Sequence, residues 1–162
     1  DPAIADELWA VSAVSPGDVV MIASNSGVNG SIVGIALLAK EHGHPVIAVT
    51  SMIHTMQVQP KHPSGQRLSD VADVVIDNLA PYGDATLPLR QAQGSGSAEI
   101  PVGAVSSITA AYIAQLLTIG VAERISARGE VPPLYLSANI PGGDAHNHVL
   151  EDKYAGRIRR GV

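Results

Sequence analysis

Read for hydrophobic and polar positions, the chain resolves into short apolar runs separated by polar loops. Val19 to Ser24 is an apolar run with β-branched residues, and a small polar loop follows it: Ser24, Asn25, Ser26, Gly27, Val28 and Asn29. Beyond the loop, Ser31 to His42 is apolar on more than one face and ends at Gly43, which suits a left-handed C-cap. The pattern predicts strand, loop, helix. Val46 to Thr50 predicts a second buried strand and Val74 to Asp77 a third, with a short helical turn over Leu68 to Ala72. Upstream, Asp1-Pro2 reads as an N-cap with proline at the first helical position. Ile4, Leu8 and Val11 then recur at helical spacing until Ser15-Pro-Gly-Asp18 stops the helix. Met52 to Gln66 has little periodicity and predicts a mobile loop.

Thr86 to Pro101, with Gly94 to Ser97 and several prolines, predicts an exposed excursion. Val105 to Ala127 predicts the longest helix. The uncharged stretch Pro101 to Ala122 is long enough to span a membrane, but Ser106, Ser107, Thr109, Gln115 and Thr118 point to a helix buried in protein. Leu134 to Ser137 predicts a short strand after Pro132-Pro133. Asp144 predicts the cap of a final helix running through Lys153 towards Arg157.

The strand-loop-helix at Val19 to Gly30 carries the candidate chemistry. A parallel strand that feeds a helix aims the helix's unpaired N–H groups and positive dipole end at the carboxyl edge of the sheet, where an anion fits. Ser24 and Ser26 add hydroxyls, Asn25 and Asn29 add amides, and Gly27 permits a positive φ. The loop has neither the P-loop pattern nor the paired glycines of a dinucleotide fingerprint, which disfavours nucleotides. A second reading is an ordinary turn in which Ser24 or Asn29 caps the helix. Ser51 is open in the same way: at the end of its strand it either joins a ligand shell or caps a short helix that follows.

Composition narrows the classes. A chain of 162 residues with 46% hydrophobic and 15% charged residues predicts one α/β domain with parallel strands buried on both faces. Phe is absent and the net charge is −5, so neither stacking surfaces nor a basic stripe is present for nucleic acid. Arg157, Arg159 and Arg160 cluster at the C-terminus and read as a solvated tail, with phosphate contact from a neighbouring subunit as the second reading. Without cysteine there is no disulfide, thiolate nucleophile or thiolate metal site, in keeping with a cytoplasmic protein. His146 and His148, two apart, fall on different faces of a helix and are not a metal pair. Trp9 reads as a partly buried core aromatic, with an interface anchor as the alternative. No metal, cofactor, nucleic acid or membrane is expected.

Four blocks in order carry a resemblance: Asp18 to Gly27, the helix ending at His42-Gly43, Val46 to Thr50 with Ser51, and Arg67 to Asp77. Together they resemble the SIS (sugar isomerase) phosphosugar-binding domain. Ser-Asn-Ser-Gly-x-Asn from Ser24, His62 to Leu68, Asp77 to Ala85 and Ser137 to Asp144 resemble more narrowly the bacterial UPF0309 group of SIS proteins, over nearly the whole chain. The resemblance implies a single SIS domain over residues 1–162 that lacks an N-terminal helix and first strand. The implied fold is a three-layer α/β/α sandwich with a flavodoxin-like, mainly parallel sheet. It further implies a sugar phosphate at the sheet's carboxyl edge, a homodimer or higher oligomer with a composite site, and a long helix whose N-terminal hydroxyls lie near the sugar. Ser51 and Ser107 become supporting contacts. SIS isomerases use a glutamate and a histidine, so Glu151 is the candidate base and His146, His148 or His62 the candidate for ring opening. His62, in the loop His62 to Gly65, reads either as reaching across a dimer interface to a ligand or as a solvated loop histidine. The expected activity is phosphosugar isomerisation, with a non-catalytic phosphosugar sensor as the alternative.

Overall fold

The computed structural model describes residues 4–89 and 99–157. Asp1-Pro2, Gly94 to Ser97, Arg159 and Arg160 lie outside them. The chain divides into two compact units, Asp1–Ile113 and Ala114–Val162.

In the first unit α1 (Ile4–Val11) leads to β1 (Val20–Ala23), the polar loop, α2 (Gly30–Glu41) and β2 (Val46–Thr50). Two short helices, α3 (Met52–Thr55) and α4 (Leu68–Val71), precede β3 (Val74–Asp77). The three strands run parallel in the order β1-β2-β3, with Val20 opposite Val46 and Ile47 opposite Val74. One face of this sheet meets helices. Ile22, Val46 and Ala48 pack against Ala36 and Ala39 of α2 and Leu68 of α4, and Trp9 seals the edge as a core aromatic. The alanines let α2 lie close to the strands, where larger side chains would hold it off.

The other face is covered less. Met21, Ile47 and Val74 sit side by side on it, and Met21 and Val74 remain 50% and 51% exposed. Its carboxyl end, at Ala23 and Val49, forms a cavity with the first turns of a later helix. The α/β class and the parallel sheet are present. A complete third layer is not displayed by the described residues, because those apolar side chains keep about half their surface in solvent.

Three expectations are corrected here. The segment from Met52 is not a featureless loop: α3 opens it, and Arg67 ties it down through Nε–H to Thr55 O (3.1 Å) and Nη2–H to Val58 O (3.0 Å). The excursion after Thr86 is, in its described part, an antiparallel ribbon of β4 (Ala85–Leu89) and β5 (Ile100–Ala104). Pro88 and Pro101 face each other in it, which is allowed because each strand of a two-stranded ribbon has an edge that needs no ladder N–H. Helix α5 (Val105–Ala127), expected to be buried, has no buried residue. By length and composition it is apolar enough to cross a membrane.

The second unit holds the rest of α5 and α6 (Gly143–Lys153). Leu134 to Ser137 forms no strand among the described residues. The Asn147 side chain takes the place of a ladder partner, accepting from Leu136 N–H (2.9 Å) and donating to Leu136 O (2.8 Å). The cap of α6 is Gly142, at φ +78°, and not Asp144, which sits in the first turn. Gly143 lies so close to Ser137 O that a β-carbon would overlap it, at 2.1 Å.

Candidate functional site

The loop after β1 is stitched to the neighbouring strand ends by its own backbone. Ser24 N–H donates to Val49 O (2.9 Å), and Asn25 O accepts from Ser51 N–H and Thr50 Oγ1, both at 3.1 Å. Asn78, the residue after β3, donates from Nδ2 to Asn25 Oδ1 (3.1 Å). Three strand ends are thereby fixed side by side at the sheet's carboxyl edge, the place where open parallel sheets hold ligands.

A cavity of about 210 Å³ opens there. Its polar wall is Ser24, Asn25, Asn78, Ser106 and Ser107, and its apolar wall is Ala23, Val49 and Ala110. Among the described residues the lining has hydroxyls and amides but no charged side chain. The Asn25 amide nitrogen is buried and has no hydrogen-bond partner. The start of α5 is held by Asp84: its O accepts from Val105 N–H (3.0 Å), Oδ1 from Ser106 N–H (2.7 Å) and Oδ2 from Ser106 Oγ (2.5 Å). These bonds set Ser106, and Ser107 next to it, in the wall.

Of the residues that the sequence nominated, Ser24, Asn25 and Ser107 line this cavity; Ser26, Gly27, Asn29 and Ser51 do not. Ser51 is fully buried, its Oγ accepting from His54 N–H (3.0 Å) and donating to Ala80 O (2.6 Å), so the capping alternative describes it. Gly27 has the expected positive φ, +61°, but its close approach is to the protein: a β-carbon would meet Thr50 Oγ1 at 3.0 Å and Leu68 Cβ at 3.3 Å. Asn29 stands at the N-cap of α2 without a side-chain capping bond, and it is exposed. Ser24 Oγ accepts from Gly27 N–H at 3.3 Å.

None of the acid-base candidates is among the residues that line this cavity. His62 accepts at Nδ1 from Ser64 N–H (3.1 Å) and borders a different hollow, with Asp6, Leu37 and Glu41. His146, His148 and Glu151 all belong to α6 in the second unit. His146 Nε2–H donates to Leu134 O (2.9 Å) and His148 Nδ1–H to Asp144 O (2.8 Å). Among the described residues no group of three or more His, Cys, Asp or Glu is arranged to hold a metal ion. Sequence reading passed over Asn78 as a residue of this wall, whereas Ser106 belongs to the helix-start hydroxyls that the resemblance implies near a sugar. A polar residue directly after a parallel strand was the available signal for Asn78.

The sequence pattern of the SIS domain matches residues 1–51, the stretch that builds α1, β1, the loop, α2 and β2. Over 145 residues the chain is 37% identical to a UPF0309 protein of Listeria monocytogenes, covering 90% of this chain and 56% of the relative. A UPF0309 protein of Halalkalibacterium halodurans is 38% identical over 141 residues, 87% of this chain and 56% of that protein. One of Caldanaerobacter subterraneus is 36% identical over 143 residues, 88% and 56%. This is an SIS-domain, UPF0309-like chain. It spans just over half the length of these UPF0309 relatives.

Proposed function

We propose that this chain binds a phosphorylated sugar at the carboxyl edge of β1, β2 and β3. The observation that carries the reading is the cavity where Ser24, Asn25, Asn78, Ser106 and Ser107 converge. SIS domains are in general associated with phosphosugars, and the match covers the strand, loop and helix that contribute Ser24 and Asn25. A wall of neutral donors and acceptors suits sugar hydroxyls. Ser26 and Asn29, at the start of α2, are assigned to the phosphate on the strength of the helix dipole.

Isomerisation adds a requirement. An enediol route needs a general base beside the sugar carbons and a group for ring opening. Glu151 with His146, His148 or His62 would supply them in the isomerase reading. Among the described residues no acid or base lines the cavity, which favours the second reading, a phosphosugar-sensing module without turnover.

A thermal-shift screen against sugar phosphates, with inorganic phosphate as control, tests the binding reading, since a ligand of the native state raises Tm as ln(1 + [L]/Kd). One sugar phosphate is expected to shift Tm selectively. Ser26→Ala is expected to weaken its binding by about 1.5 to 3 kcal/mol, the contribution of a hydrogen bond to a charged group, and Ser24→Ala by about 0.5 to 1.5 kcal/mol, that of a neutral one. Absence of a shift across the panel rejects the assignment. Conversion of the bound sugar followed by NMR separates isomerase from sensor.

A further inference from the structure

The connection from Asn78 to Asp84 is gripped along its length, and it ends on a residue that sets the cavity wall. Ala80 is held from both sides, its N–H donating to Asn78 Oδ1 (2.9 Å) and its O accepting from Ser51 Oγ (2.6 Å). Tyr82 stacks on the His54 ring at 5.2 Å between centroids. Gly83 N–H donates to His54 Nδ1 (3.0 Å), and the next residue, Asp84, holds Val105 and Ser106 through three hydrogen bonds. Leu79 and Asp84, neither of them glycine, have φ of +57° and +66°, and Gly83 has +82°. A strap with left-handed residues at both ends persists only where the surrounding contacts over-determine it.

His54 is the one side chain in this set whose bonding reverses on protonation. To accept from Gly83 N–H, Nδ1 must be bare, so the ring is neutral with its proton on Nε2. A proton on Nδ1 sets two donors face to face, and the bond is lost. The other titratable groups flanking the ring are committed. The Asp77 carboxylate accepts from Met52 N–H and Leu79 N–H, Asp84 is bound to Ser106, and Tyr82 supplies the stack.

We propose that His54, acting through the Gly83–Asp84 strap, is a positioning residue for Ser106 and Ser107 and makes the geometry of the cavity wall sensitive to pH. With the ring neutral the strap is closed and Ser106 is held in the wall; with the ring charged, Gly83 is released and the grip of Asp84 on α5 loosens. That this regulates a ligand rests on the phosphosugar reading above, whereas the coupling itself does not.

The test is a pH titration of the ¹⁵N-labelled 162-residue chain by NMR, without ligand. The Gly83 and Ser106 amide resonances are expected to move together, with the midpoint of the His54 Cε1–H resonance. In His54→Asn, whose Oδ1 keeps an acceptor near the Nδ1 position but takes up no proton in this range, both amides should stay still. His54→Gln serves if the first variant folds poorly. Fixed Gly83 and Ser106 amides in the wild type through the His54 titration, or an unchanged titration in His54→Asn, would overturn the proposal. A sugar phosphate found in the thermal-shift panel should bind several-fold more weakly below that midpoint in the wild type, and equally above and below it in His54→Asn. Equal pH dependence in both proteins would also count against it. If no sugar phosphate binds, the amide titrations still decide the coupling, and only the phosphosugar reading fails.

Discussion

Two residues show how much depends on single atoms. Asp73, just before β3, accepts from the Lys40 ammonium at 2.5 Å with one carboxylate oxygen and from Val46 N–H at 2.7 Å with the other. The Lys40 hydrogen bond foremost, then the Val46 N–H, holds its carboxyl below the ordinary value of 3.8. The folded carboxylate therefore resists a proton that the unfolded chain accepts. Its contribution is complete above the unfolded value and is lost as pH falls through the folded one. Melting temperature measured from about pH 6 down to about pH 2 should fall more gently for Asp73→Asn than for the wild type, and parallel curves would refute this. Gly27 is the second case. At φ +61°, with Thr50 Oγ1 at 3.0 Å from any added β-carbon, Gly27→Ala must be strained and crowded at once. A loss of about 1 to 3 kcal/mol is expected, read from the urea midpoint, and an unmoved midpoint would show that the loop relaxes freely. The sequence did indicate a glycine needing positive φ there. It did not indicate why, because the neighbours that crowd it, Thr50, Thr55 and Leu68, come from distant parts of the chain. For the same reason Ser51 read as ligand contact or cap in equal measure until its Oγ was seen bound to His54 N–H and Ala80 O.

At the scale of elements, strands with strong β-branched runs were legible to within a residue. Val46 to Thr50 and Val74 to Asp77 were each read with the bounds the structure gives. Elements defined by partners and not by their own pattern were not legible. The β4-β5 ribbon is rich in proline and small residues and looks like an excursion; only mutual pairing makes it a ribbon. Leu134 to Ser137 has strand composition but finds the Asn147 amide where a strand would be. The segment after Met52 lacks periodicity because much of its order comes from one side chain outside it, Arg67, which satisfies the carbonyls of Thr55 and Val58. Arg67→Met keeps most of the aliphatic stem and removes both donors. It should destabilise the chain by about 1 to 3 kcal/mol through those unsatisfied carbonyls and make residues 56–66 the first site of limited proteolysis. Wild-type stability together with an unchanged cleavage pattern would mean that Lys61 N–H on Val28 O suffices to hold the segment.

For the whole molecule, the distribution of apolar surface sets the behaviour. A net charge of −5 favours solubility, yet α5 leaves Ile108, Tyr112, Leu116 and Ile119 exposed at 75%, 65%, 51% and 54%. They recur at four-, four- and three-residue intervals, so they make one stripe along the helix and not a scatter of single side chains. Contiguous apolar stripes of this kind mark association surfaces, since covering them stabilises by roughly 25 cal/mol for each Å² removed from water. The uncharged, apolar sequence of this helix points to burial, yet none of its residues is buried: sequence gives the need for cover but not its source. We therefore expect the 162-residue chain to self-associate. Light scattering across a dilution series should give a mass above 16.7 kDa that falls with concentration, and Ile108→Glu with Leu116→Glu should return it to 16.7 kDa without loss of helical content. Both positions are exposed, so the double variant is expected to fold, and circular dichroism checks that directly. A constant 16.7 kDa for the wild type at all concentrations would remove the self-association reading. A larger mass that the glutamates leave unchanged would move the interface to the open sheet face, where Met21 and Val74 are the next apolar pair and Met21→Lys the next variant.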